Sequence, residues 1–87
     1  MVRQLLFLCT GNYYRSRFAE HLFNALAAPR GLAWQATSRG VATEFGVHNV
    51  GPMSVHSLQG LQARGIAMAG ELRMPARLAE RDLASAD

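Results

Sequence analysis

The alternation of apolar and polar stretches along the chain predicts a strand, a helix and a second strand, in that order. Residues 5–9 form a continuous apolar run, which is typical of a strand covered on both faces. From residue 16 the apolar positions recur every four residues, so a helix is predicted, and the Pro-Arg-Gly at 29–31 ends it. Residues 32–38 predict the second strand. Such a unit favours a parallel pair with a right-handed crossover, and therefore an α/β fold.

The predicted helix has one broad apolar face. Phe18, Leu22 and Leu26 recur at intervals of four residues, and Phe23 lies beside them in the same stripe. A stripe of this width on a soluble helix normally packs against the rest of the domain. We therefore expect these four side chains in the hydrophobic core.

After the second strand the pattern is less regular. Residues 40–53 contain several glycines and a proline without a clear period, which predicts a long surface loop. Residues 53–64 predict a second helix with Gly65 as its C-terminal cap. Residues 67–77 are predicted to be irregular, and residues 77–86 to form a short polar helix or turn. Because no internal repeat or linker interrupts the chain, we expect residues 1–87 to form a single domain.

The composition of the chain is that of a soluble globular protein, with 49% hydrophobic and 17% charged residues. No apolar run approaches the roughly 20 residues that a membrane helix needs. The run at 5–9 is short and has no small-residue cleavage site behind it, so it is not a signal peptide. We expect a cytoplasmic protein without a membrane partner.

All nine positive residues are arginines, and the net charge of +3 favours anionic partners. The arginine bias also fits the nucleotide composition of the coding DNA, so it does not assign a role to any one arginine. A nucleic-acid binder is a third hypothesis, which we set aside because the arginines are scattered and no recognition motif is present. No nucleic acid is therefore predicted as a partner.

The single cysteine, Cys9, excludes internal disulfides and metal sites built from several cysteines. His21, His48 and His56 do not have the spacing of metal ligands and are predicted to be surface or loop residues. We therefore predict neither a metal nor a cofactor. If Cys9 has a function, it acts as a thiol.

Cys9 stands at the end of the first predicted strand, and Arg15 follows six positions later at the start of the helix. A loop of this length between a strand and a helix can turn successive N–H groups inward, and the helix N-terminus adds partial positive charge. Such a loop binds a dianion such as phosphate or sulfate. The same field stabilises a thiolate, so Cys9 is a candidate nucleophile held below a bound phosphate.

Other residues of the loop suit this chemistry. Arg15 can hold two phosphoryl oxygens bidentately, more tightly as they gain charge in the transition state. Ser16 can donate a hydrogen bond to the cysteine sulfur. Gly11 and Asn12 tolerate a positive φ, which a tight anion-binding loop needs. The predicted phosphate-binding residues are Thr10, Gly11, Asn12, Tyr13, Tyr14 and Arg15.

Residues 2–20, Val-Arg-Gln-Leu-Leu-Phe-Leu-Cys-Thr-Gly-Asn-Tyr-Tyr-Arg-Ser-Arg-Phe-Ala-Glu, resemble the opening of the low-molecular-weight protein tyrosine phosphatases. Residues 38–40, 61–66 and 82–87 resemble later parts of the family pattern. The resemblance implies a flavodoxin-like phosphatase fold, with a parallel sheet and flanking helices. It also implies a role for each matching residue: Cys9 as nucleophile, Arg15 as phosphate clamp, Ser16 as thiolate donor, and Asn12 with Ser38 as support for the loop.

The sequence departs from the family pattern at several points. Position 14, often a second cysteine in the family, is Tyr14, and residues 67–77 contain no counterpart of the family's supporting histidine. The family's general acid is an aspartate in a later segment, whereas Asp82 and Asp87 here match positions of a structural kind. The family domain is longer by two strands and a helix. The chain therefore resembles the amino-terminal portion of the domain, incomplete at its C-terminal end.

The leading hypothesis is a phosphatase that hydrolyses phosphotyrosine or other aryl phosphates through a cysteinyl-phosphate, weakly or incompletely because the general-acid segment is missing. The alternative is a non-catalytic module that binds phosphate or a phosphoprotein. Arsenate reductases have a similar loop but relay through additional cysteines, which this chain lacks. The predicted partners are a phosphorylated protein or small aryl phosphate and, through an exposed sheet edge, a second copy of the chain.

Overall fold

The computed structural model describes residues 2–68 and 72–87 and has a mixed α/β architecture. Within those two ranges no helix is both long and apolar enough to cross a membrane. The secondary-structure elements are, in chain order, β1 (Arg3–Cys9), α1 (Arg15–Ala27), β2 (Trp34–Gly40), a 3₁₀ turn (Thr43–Gly46), α2 (Val55–Ala63) and α3 (Glu80–Ser85).

β1 and β2 are parallel, which confirms the α/β class predicted from the sequence. Arg3 lies opposite Trp34, and Cys9 lies opposite Gly40. Because the strands run in the same direction, their C-terminal ends meet at one edge of the sheet. This edge carries the loop that leads from Cys9 into α1.

The boundaries of β2 differ from the prediction of residues 32–38 by two residues at each end. The turn after α1 extends to Leu32, whose N–H donates to the carbonyl of Ala27. Pairing with β1 therefore starts only at Ala33, whose carbonyl accepts from the Arg3 N–H. At the other end, pairing with β1 continues to Gly40. The apolar pattern does not predict this extension, because the pairing depends on backbone hydrogen bonds and not on apolar side chains.

The two later helices are shorter than predicted. α2 begins after Ser54, whose hydroxyl accepts the N–H of His56 as an N-cap. It ends at Ala63, and the predicted cap, Gly65, follows two residues later with φ +76 and donates to the carbonyl of Gln62. α3 occupies only the middle of the predicted stretch 77–86. The part of 67–77 at residues 69–71 lies outside the described residues.

The outer edge of β2 is closed by other parts of the chain. The Asn24 amide donates to the carbonyl of Ala36 and accepts its N–H. Gly40 pairs in the same way with a later segment, donating to the carbonyl of Ala76 and accepting from Leu78. This edge of the sheet is thus protected from pairing with another chain.

The opposite edge of the sheet belongs to β1. The backbone N–H of Asp87 donates to the carbonyl of Gln4, and the Gln4 N–H donates to the Asp87 carboxylate at 2.7 Å. Further along the same strand, Leu8 is exposed. Any strand that extends the sheet would therefore add beside β1.

None of the four α1 residues predicted to lie in the core is fully buried, because Phe18, Leu22 and Phe23 are only half-buried. Leu26 is 46% exposed, whereas Ala27, one position further on, is buried. The helix directs a polar stripe toward β2, with Asn24 bonded to Ala36, so the buried face is rotated from the one the apolar pattern indicates. The Phe23 ring makes an edge-to-face contact with Phe7, with ring centroids 6.3 Å apart.

Candidate active site

A cleft of about 410 Å³ opens beside the loop that joins β1 to α1. Five of the six residues predicted to bind phosphate line it together with Cys9, and the sixth, Asn12, is buried behind the loop. The facing wall comes from the 3₁₀ turn and the start of α2. The full lining is Cys9, Thr10, Gly11, Tyr13, Tyr14, Arg15, Phe45, Gly46, Asn49, Ser54 and His56.

The Cys9 sulfur lies against the first turn of α1. Its Sγ is 3.0 Å from the Ser16 Oγ, and three backbone N–H groups point toward it, those of Asn12, Tyr13 and Ser16. Burial raises the pKa of the Cys9 thiol, but these hydrogen bonds together outweigh it and hold the pKa below its ordinary value. The groups that surround the sulfur thus stabilise a thiolate.

Asn12 holds the loop from behind. It is fully buried and has φ 52, a left-handed conformation that asparagine adopts more readily than most residues. Its Nδ2 donates to Ser16 Oγ at 2.9 Å and to Ser38 Oγ at 2.8 Å. Of the two loop residues singled out for their tolerance of a positive φ, only Asn12 has one, and Gly11 does not.

Ser38 connects Asn12 to α1. Its hydroxyl donates to the Glu20 Oε1 at 2.6 Å while it accepts from Asn12. Both residues predicted to support the loop, Asn12 and Ser38, are therefore in contact, and Glu20 terminates the network with a carboxylate that is 12% exposed. A carboxylate this shielded requires a cation nearby.

That cation is Arg73, which the sequence analysis did not single out. Its Nη2 is 3.1 Å from the Glu20 Oε1 and also donates to the carbonyl and hydroxyl of Ser38. Its Nη1 donates to the Asn12 Oδ1 at 2.8 Å. Arg73 thus contacts the residue to which the loop is anchored, in a segment where the sequence offered no supporting histidine.

Arg17 is a further arginine that the sequence pattern does not mark, and unlike Arg73 it is buried. It is 1% exposed and donates from Nη1 to the carbonyl of Pro52 and from Nη2 to the carbonyl of Arg73. The sequence does contain a signal for the buried polar face of α1. Polar residues recur at intervals of three and four and share one face of this helix, at positions 17, 20, 21 and 24. No local pattern marks residue 73.

Arg15 stands at the mouth of the cleft. Its side chain is exposed, and it lines this cleft together with Cys9 as well as a smaller one on the side of Val41. A guanidinium in this position can reach an anion seated over the sulfur and present two parallel N–H donors to it.

The two loop tyrosines contact the facing wall. Tyr13 donates its hydroxyl to the carbonyl of Val50, and its own carbonyl accepts from the N–H of Ser54. Tyr14 stacks on His56 with ring centroids 6.2 Å apart. Both rings line the cleft, so they hold the wall in place and also give the mouth an aromatic surface.

The described lining of the cleft includes no carboxylate. Asp82 caps α3, accepting the N–H of Ala79 with Oδ2, and its Oδ1 is 3.3 Å from the Arg39 Nε. Asp87 is bonded to Gln4 at the sheet edge. Both aspartates thus have the structural kind of role that the sequence predicts for them, away from Cys9.

The histidines are not equally exposed. His48 and His56 are exposed as predicted, but His21 is half-buried, and its Nε2 has no partner among residues 2–68 and 72–87. Burial lowers the pKa of His21, and the charges of Arg17 and Arg73 lower it further against the opposing effect of Glu20. Within the described ranges, no three of the His, Cys, Asp and Glu residues are grouped so as to hold a metal ion.

Substitution of Ser16 by alanine should raise the pKa of Cys9, since the hydroxyl that bonds the sulfur is lost. A hydrogen bond to a charged group contributes about 1.5 kcal/mol or more, so alkylation of Cys9 by iodoacetamide at mildly acidic pH should slow about tenfold. At alkaline pH, where all the thiol is ionised, the rates should converge.

Ser57→Ala is the matched control for this experiment. Ser57 is equally buried and donates to the carbonyl of Tyr14, but it does not contact the sulfur. Its alkylation profile should stay that of the wild type. Equal profiles for Ser16→Ala and the wild type would show that the hydroxyl does not stabilise the thiolate.

Comparisons with known proteins agree on one family. The sequence profile of the family described as low molecular weight phosphotyrosine protein phosphatase matches residues 4–87. A comparison with curated proteins found no match.

Solved structures with the same fold include a low molecular weight protein tyrosine phosphatase from T. tengcongensis, with 35% identity and a TM-score of 0.81. They also include YfkJ from Bacillus subtilis, with 32% identity and a TM-score of 0.81. The matches cover 98% and 100% of this chain, but only 54% and 53% of the two solved chains. This chain thus spans about half the length of the solved chains it matches.

Proposed function

The chain belongs to the low molecular weight phosphotyrosine protein phosphatase family, and from this premise we propose that it hydrolyses phosphotyrosine or other aryl phosphates through a phosphocysteine at Cys9. The observation that carries the proposal is a sulfur held by the Ser16 hydroxyl and three N–H groups at the start of a helix, on the floor of an open cleft. This arrangement suits a nucleophile and a dianion at the same site.

The first step would transfer the phosphoryl group to the enzyme. The Cys9 thiolate attacks phosphorus, the S–P bond forms, and the ester P–O bond breaks, so that the aryl oxygen departs with the electron pair. The N–H groups of the loop and the guanidinium of Arg15 stabilise the charge on the equatorial oxygens. The N–H groups of the loop are in place before the substrate arrives, which is what gives such a site its effect on the transition state.

The second step would regenerate the enzyme. Water attacks phosphorus, the S–P bond breaks, and the sulfur departs as a thiolate with inorganic phosphate as the product. The Ser16 hydroxyl, 3.0 Å from the sulfur, lowers the energy of that thiolate in the same way as before the reaction. The same hydrogen bond therefore supports both the attacking and the departing sulfur.

Proton donation to the leaving group sets the limit on this activity. The described lining of the cleft offers no carboxylic acid, and general acid catalysis is worth about 10²–10⁴-fold. We propose that the chain acts well only on aryl esters whose leaving group needs little protonation, and weakly on phosphotyrosine. The match to a phosphatase family favours catalysis over the non-catalytic binding module.

The aromatic wall of the cleft supports an aryl substrate. Tyr14, Phe45 and His56 surround the mouth and can pack against a flat ring bonded to the phosphate. A phosphorylated protein or a small aryl phosphate is therefore the proposed partner, with phosphate or sulfate as an anion for the same loop. Pairing of two chains through the β1 edge stays a prediction, supported by the exposure of Leu8 on that strand.

Rapid mixing with p-nitrophenyl phosphate tests the proposal. We expect a burst of p-nitrophenol of at most about one equivalent per chain followed by slower turnover, as covalent catalysis in two steps gives when hydrolysis of the phosphocysteine is the slower step. Turnover should be much faster than with phosphotyrosine, because p-nitrophenolate leaves without a proton. Serine phosphate, an alkyl ester with a poor leaving group, is the matched control and should not be hydrolysed.

Protection of Cys9 from iodoacetamide by phosphate or vanadate distinguishes the alternatives. Protection together with a burst supports the phosphatase, and protection without any product supports the binding module. A thiol that is alkylated slowly and irrespective of phosphate contradicts both functions.

A further inference from the structure

The directions of the hydrogen bonds behind the loop decide whether the Cys9 sulfur accepts a hydrogen bond from the Ser16 hydroxyl. The Ser16 hydroxyl has one proton and can donate it either to the sulfur or to the side chain of Asn12. It donates to the sulfur only if the Asn12 group that faces it is itself a donor. The orientation of one buried amide therefore controls the bond to the nucleophile.

Two donors face the other side of that amide. The Arg73 Nη1 lies 2.8 Å from the Asn12 Oδ1, and the backbone N–H of Ala76 lies 3.0 Å from the same atom. Neither a guanidinium nor a backbone N–H can accept a hydrogen bond. Only the carbonyl oxygen of Asn12 can lie on this side, so its NH₂ group must point toward the serines.

The remaining directions follow from this one. Both N–H groups of Asn12 Nδ2 donate, one to Ser16 Oγ and one to Ser38 Oγ. The Ser16 proton is thereby left for the sulfur, and the Ser38 proton for the Glu20 carboxylate at 2.6 Å. All four hydrogen-bonding positions of the buried Asn12 side chain are occupied.

We propose that Arg73 is a positioning residue that, together with the backbone N–H of Ala76, sets the direction of the hydrogen-bond chain from Asn12 through Ser16 to the Cys9 sulfur. It lies 61 residues from Asn12 in sequence, and no role is otherwise assigned to it. The same contact holds Asn12 in its left-handed conformation, which shapes the loop. The proposal concerns the site of the proposed function and rests on it only for the catalytic consequence.

An arginine is suited to this task because it is a donor at every hydrogen-bonding position. Its two Nη atoms bond different partners, Nη1 to Asn12 and Nη2 to Ser38 and Glu20. The Glu20 carboxylate balances the charge, and Arg17 holds the backbone of residue 73 from the far side.

The pH profile of Cys9 alkylation in Arg73→Met tests the proposal without requiring any turnover. Methionine keeps a long side chain but donates no hydrogen bond, so only the Ala76 N–H is left to fix the Asn12 amide, and the Ser16 proton is directed to the sulfur less firmly. We expect alkylation at mildly acidic pH to slow about tenfold and to equal that of the wild type at alkaline pH. The other titratable groups that line the cleft are unchanged in the variant; they are Tyr13, Tyr14, Arg15 and His56.

Arg77→Met is the matched control. Arg77 lies in the same segment, but its side chain is exposed and bonds Glu44 instead of the loop. Its alkylation profile should stay that of the wild type. A wild-type profile for Arg73→Met, or an equal shift in both variants, would overturn the proposal.

A double-mutant cycle with Ser16→Ala separates the proposed chain from a direct effect of charge. If Arg73 acts through Ser16, adding Arg73→Met to Ser16→Ala should slow alkylation by less than twofold further. A second full slowing would mean that the guanidinium acts on the sulfur by its field alone, and the proposal would be wrong. Turnover is not measured, so failure here is distinguishable from failure of the proposed function.

The cycle depends on Arg73→Met retaining its fold, which circular dichroism checks. If it unfolds, Arg73→Lys is the milder variant, because one ammonium cannot replace the fork that spans Asn12 and Ser38. It should shift the alkylation profile in the same direction by a smaller factor. An unchanged profile in a folded Arg73→Lys would count against a role for the fork.

Discussion

Replacement of Cys9 by serine should abolish the hydrolysis of p-nitrophenyl phosphate. A serine hydroxyl is not ionised under conditions in which the Cys9 thiol, its pKa lowered by the surrounding hydrogen bonds, forms a thiolate. Loss of a covalent nucleophile costs catalytic rates on the order of 10³–10⁶-fold. The steady-state release of p-nitrophenol should therefore fall to the background rate, and the burst should disappear.

Loss of the Arg15 side chain should have a comparable effect for a different reason. Arg15→Ala keeps the nucleophile but removes the guanidinium that lines the cleft beside it. We expect turnover to fall by about 10³-fold, within the range attributed to an arginine that stabilises a phosphoryl transition state. Phosphate should protect Cys9 of this variant from alkylation less well than it protects the wild type.

Arg64→Ala is the control for both variants. Arg64 is an exposed arginine beyond the end of α2, and it contacts Phe18 and the carbonyl of Gly60 away from the cleft. Its turnover should match the wild type. Undiminished turnover in Cys9→Ser or in Arg15→Ala would contradict the proposed mechanism.

Gly40→Ala should have the largest expected effect on stability among single-methyl changes near the site. An added Cβ would lie 2.8 Å from the Thr10 carbonyl oxygen and 3.0 Å from the Asn12 nitrogen, both of them backbone atoms of the loop. Gly40 cannot move away, because its own N–H and carbonyl bond Ala76 and Leu78. Overpacking of this kind costs about 1–3 kcal/mol of the free energy of unfolding, measured by urea denaturation.

The same substitution should also loosen the phosphate site. Because the backbone atoms that must shift belong to the loop, phosphate should protect Cys9 of Gly40→Ala from alkylation less well than it protects the wild type. Gly11→Ala is the stability control, since its Cβ would meet only the Asn49 Nδ2 at 3.8 Å. We expect that change to stay within about 0.5 kcal/mol. Equal stability of the two variants would refute the close approach at Gly40.

The sequence was sufficient for β1, for α1 and for the position of Cys9 at the junction between them. The apolar run at 5–9 and the four-residue period from residue 16 are local signals, and the elements they predict lie at Arg3–Cys9 and Arg15–Ala27. The geometry around Cys9 is equally local, because Ser16 is only seven residues away on the first turn of the helix. Structure that depends on residues within one element, or on either side of one loop, can therefore be predicted from a single sequence.

The apolar pattern was a weaker guide to which side of α1 is buried. Leu26 belongs to the apolar stripe and is exposed, whereas Arg17 is charged and 1% exposed. Periodicity indicates a buried face only when apolar contacts decide the packing. In α1 the hydrogen bonds of Glu20 with Ser38 and of Asn24 with Ala36 decide it instead.

Only the tertiary structure reveals how the loop is braced. Asn12 was predicted to support the loop, but its partners come from three separate segments: α1, β2 and the stretch after residue 72. Arg73 reaches Asn12 across 61 residues of sequence, and Gly40 touches the loop through backbone atoms alone. Contacts of this kind leave no periodic trace, because they depend on the relative placement of elements, which non-local packing and hydrogen bonding determine together.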